Sequence, residues 1–223
     1  MTRVVLKLGG CVAAAASHHA VELHEAGNEV VVVHGAGPQI TADLLERGIS
    51  TRFVDGRRLT DPATLAVVRA SLVAVGAELT AALGPAAVQL VGDEIGLRAR
   101  RLPELGLVGE PLPWRPAAVE GALAERLIPV VTPIAVDPLN VNADEAAAAL
   151  AAGLEADRIV FVSDVPGVYL DGDVISQIEI SQAEGLLDVG ALEGGIRPKL
   201  LAAVRAAKLG IRAEIGETAV VAT

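Results

Sequence analysis

Short runs of valine, isoleucine and leucine recur along the chain, most of them followed closely by glycine, proline or another turn-forming residue. Because polar residues do not alternate through most of these runs, they predict strands buried on both faces. Such strands are typical of a parallel sheet covered by helices on both sides. The predicted strands are residues 4–8, 29–33, 87–91, 128–134, 158–162 and 211–215.

Alanine-rich stretches separate these runs and predict helices at residues 13–26, 39–48, 62–83, 116–126, 144–154 and 198–209. Strand–helix alternation of this kind indicates an α/β fold with right-handed crossover connections. Asp61 and Pro62 are typical of an N-cap and a first helical residue. Residues 92–109 predict a hairpin or a lobe at the edge of the sheet, and residues 169–180 predict a hairpin. Glycines after apolar stretches predict helix C-termini at Gly48, Gly84, Gly153 and Gly210.

Length and charge exclude several classes of protein. A chain of 223 residues favours one domain or one two-lobed unit. With 28 Asp and Glu against 18 Lys and Arg, the net charge of −10 argues against nucleic acid or an anionic membrane as a partner. No uninterrupted apolar run reaches the roughly 18 residues of a membrane span, and no signal-peptide pattern is present. The single cysteine fits a reducing compartment, so we expect a cytoplasmic protein.

Lysine is rare in this chain. Of the 18 basic residues, only Lys7, Lys199 and Lys208 are lysines, and the others are arginines. Each lysine is therefore a candidate for a specific role. Lys208 lies late in a predicted helix, where a cation suits the helix dipole.

Glycine-containing turns follow the first two predicted strands. Lys7 precedes Gly9 and Gly10, and the second strand runs into residues 34–38 (HGAGP). Small residues at the carboxyl ends of parallel strands let backbone N–H groups approach an anion, and a lysine adds a point charge. The first turn is not a P-loop, because the GxxxxGK[ST] pattern is absent. Ordinary strand-to-helix turns use the same residues, so each turn alone leaves both interpretations open.

Three further segments carry polar groups at predicted helix starts. Residues 140–144 (NVNAD) hold more amide and carboxylate side chains than an N-cap requires. Residues 194–199 (GGIRPK) place Lys199 in a first helical turn, where a cation needs either an anionic partner or exposure to solvent. Residues 56–61 (GRRLTD) place arginines before a helix, either as a fork for a carboxylate or as solvated surface groups.

Taken together and in this order, the motifs resemble those of the amino-acid kinase family. NVNAD and the GRRLTD segment are most similar to its N-acetylglutamate branch. The matching segments are KLGG at 7–10, VVVHGAGPQI at 31–40, GRRLTD at 56–61, ELGLVGE at 104–110, IPVVTPI at 128–134, NVNADEAAAAL at 140–150, VSDVPGV at 162–168 and GGIRPKL at 194–200.

The resemblance implies an α/β fold, a three-layer αβα sandwich with a mostly parallel sheet, as a single domain over residues 1–223. Residues 1–135 would bind the phosphoryl acceptor, and residues 136–223 would bind ATP. The implied reaction transfers the γ-phosphoryl group of ATP to the side-chain carboxylate of N-acetyl-L-glutamate, with Mg²⁺ carried by ATP and no protein metal site. A carboxylate is ionised at pH 7, so positioning and charge neutralisation matter more than a general base.

The resemblance also implies roles for individual residues. Lys7 would contact the transferring phosphoryl group, Lys199 the ATP phosphates, and Asp144 would orient both lysines. Arg58 would bind the α-carboxylate of the acceptor, and Asn140 its acetylamino group. Gly35, Ala36 and Gly37 would contact the substrate. The implied phosphate and ATP contacts are Gly9, Gly10, Ser163, Asp164, Gly167 and Gly195.

The chain departs from the family pattern at two places. Ala36 stands where the family has glycine, and a methyl group there costs about 1 kcal/mol if the residue needs a positive φ. The chain is also shorter than typical members and has no helix before its first strand, so we expect an arginine-insensitive homodimer. Two alternatives remain: a sibling kinase for carrier-linked glutamate or aminoadipate, and a nucleotide- or amino-acid-binding sensor with little turnover.

Overall fold

The computed structural model describes residues 1–9, 13–162, 165–170, 172–189 and 195–221, without the side chains of residues 13–16. Its helices are α1 Ala13–Glu25, α2 Gly37–Glu46, α3 Pro62–Leu83, α4 Ala117–Ala124, α5 Ala143–Gly153, α6 Ile180–Asp188 and α7 Ile196–Lys208. Its strands are β1 Arg3–Leu8, β2 Glu29–His34, β3 Phe53–Val54, β4 Arg57–Arg58, β5 Ala87–Val91, β6 Ala99–Arg101, β7 Val108–Pro111, β8 Ile128–Thr132, β9 Ile134–Ala135, β10 Leu139–Val141, β11 Arg158–Val162, β12 Tyr169–Leu170, β13 Asp173–Val174, β14 Gln177–Glu179, β15 Arg212–Ile215 and β16 Thr218–Val221.

The central sheet has the strand order β14-β16-β15-β11-β1-β2-β8-β5. Its neighbouring strands are parallel except β15 and β16, which are antiparallel. Leu8 pairs with both His34 and Val162, so three strands end level at one edge of the sheet. Residues 1–135 supply β1, β2, β5 and β8, and residues 136–223 supply the other four strands. The assignment of acceptor and ATP binding to these two parts stays a prediction.

Helices cover both faces of the sheet, which confirms the predicted three-layer αβα sandwich. Alternate residues along each strand point to opposite faces. Val5 and Val31 pack in the cluster that contains residues of α4, α5, α6 and α7. Val4 and Val30 pack in the cluster that contains residues of α1 and α3. Because both faces of these strands are buried, their sequences are continuous aliphatic runs.

Smaller β-elements lie outside the central sheet. The four-stranded sheet β6-β7-β10-β9 contains an antiparallel β6–β7 pair, which confirms the hairpin predicted within residues 92–109. β12 and β13 form the second predicted hairpin. β3 and β4 pair as a third, unpredicted hairpin of two residues on each strand. The strand predicted over 128–134 is interrupted at Pro133, because proline has no N–H to donate to a strand neighbour.

Most predicted helix ends are confirmed. Asp61 is the N-cap of α3 and accepts a hydrogen bond from the Thr64 N–H at 2.7 Å. Gly48, Gly84 and Gly210 have positive φ after their helices. The prediction for Gly153 is wrong, because it is the last residue of α5 and Glu155 adopts the positive φ instead. A Cβ on Gly153 would overlap the backbone of Trp114, so glycine here permits a close chain crossing.

Within the described residues, α3 is the one helix long and apolar enough to cross a membrane by length and composition alone. It also carries Arg69, which pairs with Asp93 at 2.8 Å, so its apolar sequence is not continuous. The helix packs against α1, α2, β5 and β8. A core helix passes the same test, so this feature is weak evidence for a membrane span.

Gly76 on α3 faces a buried polar cluster, and we expect Gly76→Ala to lower the free energy of unfolding by about 1–3 kcal/mol. A Cβ there would lie 2.5 Å from Gln89 Nε2, 2.8 Å from His34 Nε2 and 2.9 Å from Thr132 Oγ1. Gly185→Ala on α6 is the matched control, since a Cβ there meets nothing within 4 Å. Alanine should stabilise that helix by about 0.5–1 kcal/mol. Urea denaturation of both variants measures the difference, and equal stabilisation would contradict the packing argument.

Candidate active site

A cleft of about 460 Å³ opens at the carboxyl ends of the central strands β1, β2 and β11, which all end at the same edge of the sheet. It brings together residues that lie far apart in the sequence. The predicted site residues that line it are Lys7, Gly9, Gly35, Ala36, Gly37, Arg58, Asn140, Asp144, Gly195 and Lys199. Gly10, Ser163 and Asp164 lie outside the described residues. Gly167 does not line this cleft; a Cβ there would collide with Thr218, and its predicted nucleotide contact stays a prediction.

A buried ion pair lies in the cleft. Lys7, near the end of β1, is only 5% exposed, and its Nζ lies 2.9 Å from Oδ1 of Asp144. Asp144 is in the first turn of α5, where a carboxylate interacts favourably with the helix dipole. Asn142 caps this helix by accepting hydrogen bonds from the N–H groups of Asp144 and Glu145. The cap and the ion pair together fix the Lys7 ammonium against the cleft.

The two glycine turns lie directly beside this lysine. The Gly35 N–H donates to the carbonyl of Leu8 at 2.9 Å, which joins the ends of β1 and β2. A Cβ on Gly35 would lie 4.0 Å from Lys7 Nζ. Helix α2 begins at Gly37, and Ala36 at its N-cap provides no side-chain hydrogen bond. A helix N-terminus without a side-chain cap has N–H groups available for an anion.

Ala36 does not adopt a left-handed backbone. Its φ is −141°, so the penalty considered for a residue with a positive φ does not arise. The side chain is buried in the small cluster formed by α2 and α3, with Ile40 and Leu72 among its members. The methyl group therefore contributes to packing beside the cleft.

Arg58 is a buried cation with neutral partners. Its side chain is largely covered at 6% residue exposure, and its guanidinium lies 4.5 Å from the centre of the Phe53 ring. It donates to Thr41 Oγ1 at 2.9 Å and also to Thr51 Oγ1. Burial lowers the pKa of Arg58. No carboxylate among the described residues is within ion-pair distance of it, so its charge is compensated only by neutral oxygens and the ring.

Asn140 and Lys199 complete the polar lining. Asn140 on β10 donates from Nδ2 to Thr60 Oγ1 at 3.0 Å, and Thr60 donates to the Arg58 carbonyl. This chain of hydrogen bonds joins β10 to β4. Lys199 lies in the first turn of α7, and its Nζ donates to the Gly195 carbonyl at 3.3 Å. The orientation of Lys199 by Asp144 stays a prediction.

Sequence patterns missed several polar residues around the cleft. Arg57 forms a bidentate pair with Glu145, and Glu110 and Arg205 surround that pair. Thr132 and Gln89 form a buried cluster with His34, in which His34 Nε2 lies 3.2 Å from Thr132 Oγ1. No short-range pattern links such distant positions. The available signals were the doubled arginine in GRR and the doubled acid in NADE.

His34 makes the stability of the fold sensitive to acid. Burial, with a smaller contribution from the Lys7 charge, lowers the pKa of His34 from 6.5 to about 4. Above pH 6.5 both the folded and unfolded states hold a neutral imidazole. Between pH 6.5 and 4 the unfolded state takes up the proton while the folded state does not, so the fold is destabilised by about 3 kcal/mol at pH 4.

We therefore expect the free energy of unfolding to fall by about 3 kcal/mol more in the wild type than in His34→Gln between pH 7 and pH 4. Urea denaturation at a series of pH values measures this difference. Parallel curves for the two proteins would show that His34 is protonated equally in both states.

Across the part of the chain that the structure describes, no group of three or more His, Cys, Asp or Glu side chains could hold a metal ion. The charged lining of the cleft is mainly cationic. A buried lysine with its carboxylate, glycine turns and a helix N-terminus without a side-chain cap lie at the carboxyl edge of a parallel sheet. This arrangement defines an α/β protein whose cleft is suited to phosphate-containing anions. The model of the amino acid kinase family matches residues 2–217, and the chain belongs to this family.

Curated relatives include acetylglutamate kinases. That of Frankia casuarinae is 41% identical over 86% of this chain, which spans 58% of the relative's length. That of Ruegeria pomeroyi is 36% identical over 95% of this chain and 80% of its own length. A crystal structure from Streptococcus mutans superposes with a TM-score of 0.90 at 27% identity and covers 98% of both chains.

Proposed function

We propose that this protein is an N-acetylglutamate kinase, which transfers the γ-phosphoryl group of ATP to the side-chain carboxylate of N-acetyl-L-glutamate. The observation that carries the proposal is the shared cleft. It holds a buried arginine suited to a carboxylate and a buried lysine beside glycine turns suited to a phosphoryl group. Similarity to acetylglutamate kinases over most of the chain supports the choice of acceptor.

In this reaction a carboxylate oxygen of the acceptor attacks the γ-phosphorus of ATP. The new bond joins that oxygen to phosphorus, and the bond between the γ-phosphorus and the bridging oxygen of ADP breaks. The bridging oxygen keeps the electron pair. No proton has to be removed, because the acceptor carboxylate is already ionised at pH 7. The protein has to bring two anions together and stabilise the charge that develops during transfer.

The residues of the cleft suit these tasks. Lys7, fixed by Asp144 at 2.9 Å, is positioned to neutralise the transferring phosphoryl group. Backbone N–H groups around Gly9 and at the start of α2 would add further donors for the phosphoryl oxygens. Lys199 from α7 would bind the phosphates of ATP. Arg58 would bind the α-carboxylate of the acceptor, and Asn140 its acetylamino group.

Mg²⁺ enters this proposal as an ion bound to the phosphates of ATP. The cleft fits that arrangement, because its lining carboxylate, Asp144, is already paired with Lys7. Mg²⁺ keeps several water ligands and binds readily to triphosphates. Its chemical contribution is to neutralise phosphate charge during transfer.

A hydroxamate assay tests the proposed function. Hydroxylamine traps an acyl phosphate, so product should form only with ATP and an acceptor carboxylate. We expect N-acetyl-L-glutamate to be preferred over L-glutamate and N-acetyl-aminoadipate by at least roughly tenfold in kcat/KM. Preference for another acceptor would favour a sibling kinase. Binding of ATP by calorimetry without transfer to any acceptor would favour a sensor.

A homodimer and a cytoplasmic location are part of the same proposal. Helix α3 supports the dimer. Only 44% of the 18-residue stretch that makes this helix apolar is buried within the described chain. It packs beside β5, which is an edge strand of the central sheet. A second copy covering this apolar surface would remove it from water. Sedimentation equilibrium distinguishes a dimer from a monomer.

A further inference from the structure

Two adjacent pairs of charged residues lie on either side of the candidate active site. Arg57 and Arg58 form strand β4, and Asp144 and Glu145 lie in the first turn of α5. Arg58 and Asp144 line the cleft as implied site residues, and Arg57 also contributes to its lining. The other members, Arg57 and Glu145, bind each other.

We propose that the Arg57–Glu145 ion pair is a positioning device, which holds the β3–β4 hairpin so that Arg58 meets the acceptor carboxylate across from Lys7. This inference rests on the proposed function, since it assigns the pair to acceptor binding. Arg57 and Glu145 are positioning residues, because their charges act on the substrate through their neighbours.

The geometry of the pair is bidentate. Arg57 Nη2 lies 2.6 Å from Glu145 Oε1, and Arg57 Nε lies 3.2 Å from Glu145 Oε2. Two parallel hydrogen bonds fix the angle between the groups as well as their distance. Glu145 is 7% exposed, so the pair is shielded from the salt and water that weaken surface ion pairs.

Further charges hold the pair in place. Arg205 of α7 lies 3.5 Å from Glu145 Oε1 and 3.2 Å from Glu110 Oε1. Glu110 on β7 also pairs with Arg100 and lies 3.8 Å from Arg57. The hairpin is therefore connected to β7, α5 and α7 through one set of charges. Two of those elements, α5 and α7, also carry the cleft residues Asp144 and Lys199.

The hairpin has few apolar contacts of its own to fix it. Each of its strands has two residues, and the β3 side chains Phe53 and Val54 are 55% and 45% exposed. An isolated short hairpin is marginally stable in water. Other described contacts also hold it: Arg58 donates to Thr41 on α2 at 2.9 Å, Asn142 donates to the Gly56 carbonyl at 3.4 Å, and Asp55 lies 4.0 Å from Arg197. The Arg57–Glu145 pair, at 2.6 Å, is the closer of the two ion pairs among these attachments.

Alternation along strand β4 explains how the Arg57–Glu145 pair can position Arg58, although Arg57 itself also contributes to the cleft lining. Successive side chains of a strand point to opposite faces, so fixing Arg57 on one face sets the direction of Arg58 on the other. On the other side of the pair, Glu145 fixes the first turn of α5, from which Asp144 binds Lys7. Loss of the pair should lower the fraction of protein with Arg58 in its binding position, and apparent affinity falls by that fraction.

Arg57→Met, Glu145→Gln and the double variant test this inference. We expect each single variant to raise the KM for N-acetyl-L-glutamate by roughly tenfold, with the KM for ATP within about twofold. The double variant should be no worse than the more affected single variant, because both changes remove one interaction. Arg100→Met is the control, since Arg100 also binds Glu110 but is 69% exposed at its side chain and lies on β6. It should change neither constant by more than about twofold.

Hydrogen exchange of residues 53–58 provides a readout that does not need activity. These amides should exchange at least roughly tenfold faster in both single variants, and at the wild-type rate in Arg100→Met. Multiplying effects in the double variant, unchanged exchange, or a rise confined to the KM for ATP would each overturn the proposal. If the wild type forms no hydroxamate from N-acetyl-L-glutamate, the proposed function fails while the exchange result still decides whether the pair holds the hairpin.

Discussion

Replacement of Lys7 by alanine is expected to lower kcat by roughly 10²–10³-fold, with a smaller change in either KM. The ammonium is buried beside the glycine turns and paired with Asp144, so no other side chain can take its place. A charge that acts mainly on the transition state affects kcat more than ground-state binding. Steady-state kinetics with the hydroxamate assay measure this loss.

Lys7→Arg should fail as badly as Lys7→Ala. A guanidinium is planar and larger than an ammonium, so it cannot reproduce the compact point charge of Lys7 beside the glycine turns. Lys208→Arg is the matched control, because Lys208 is half-exposed and pairs with Glu184 on the surface. That variant should keep the wild-type rate. Near-normal activity in Lys7→Arg would show that a compact ammonium is not required.

Arg58→Met is expected to raise the KM for N-acetyl-L-glutamate by roughly 100-fold. A bidentate hydrogen bond between charged groups in a buried place contributes about 2–3 kcal/mol, and each 1.4 kcal/mol is a factor of ten. Arg58→Lys should restore little, because an ammonium cannot form the fork and loses the stacking on Phe53. The KM for ATP should change little in both variants.

Arg52→Lys serves as the control for Arg58, since Arg52 is exposed next to β3. Its kinetic constants should match those of the wild type. A rise in the KM for ATP, with the KM for the acceptor unchanged, would instead place Arg58 at the nucleotide.

Much of the central sheet could be predicted from the sequence. Its inner strands β1, β2 and β8 are buried on both faces, and their continuous aliphatic runs set them apart from the alanine-rich helices. Elements near the C-terminal edge were missed. Strand β14 places a buried Ile178 between exposed Gln177 and Glu179, and helix α6 follows it directly at Ile180. A three-residue strand joined to a helix has too short a periodic pattern to be recognised.

Helix ends and turns that depend on local interactions could be predicted, and those that depend on distant contacts could not. Asp61 was predicted as a cap because the N-cap interaction is local. Gly153 was misinterpreted because the reason for a glycine there is the backbone of Trp114, which is distant in the sequence. Pro133 divides a predicted strand into β8 and β9, and β9 joins a different sheet.

The candidate site shows the same limit. The motifs at Lys7 and Gly35 could be brought together in prediction, because parallel strands place their carboxyl ends at one edge. Asn140, which lies on β10 outside the central sheet, was assigned to the site by the family resemblance. The sequence alone determined the α/β class, the parallel strands and the segments that carry the charged residues, since these depend on local periodicity and turn chemistry. Only the tertiary structure decided that Ala36 has a negative φ, that Arg58 is buried among neutral groups, and that Arg57 binds Glu145. Burial and ion pairing depend on contacts between distant segments, which no local pattern specifies.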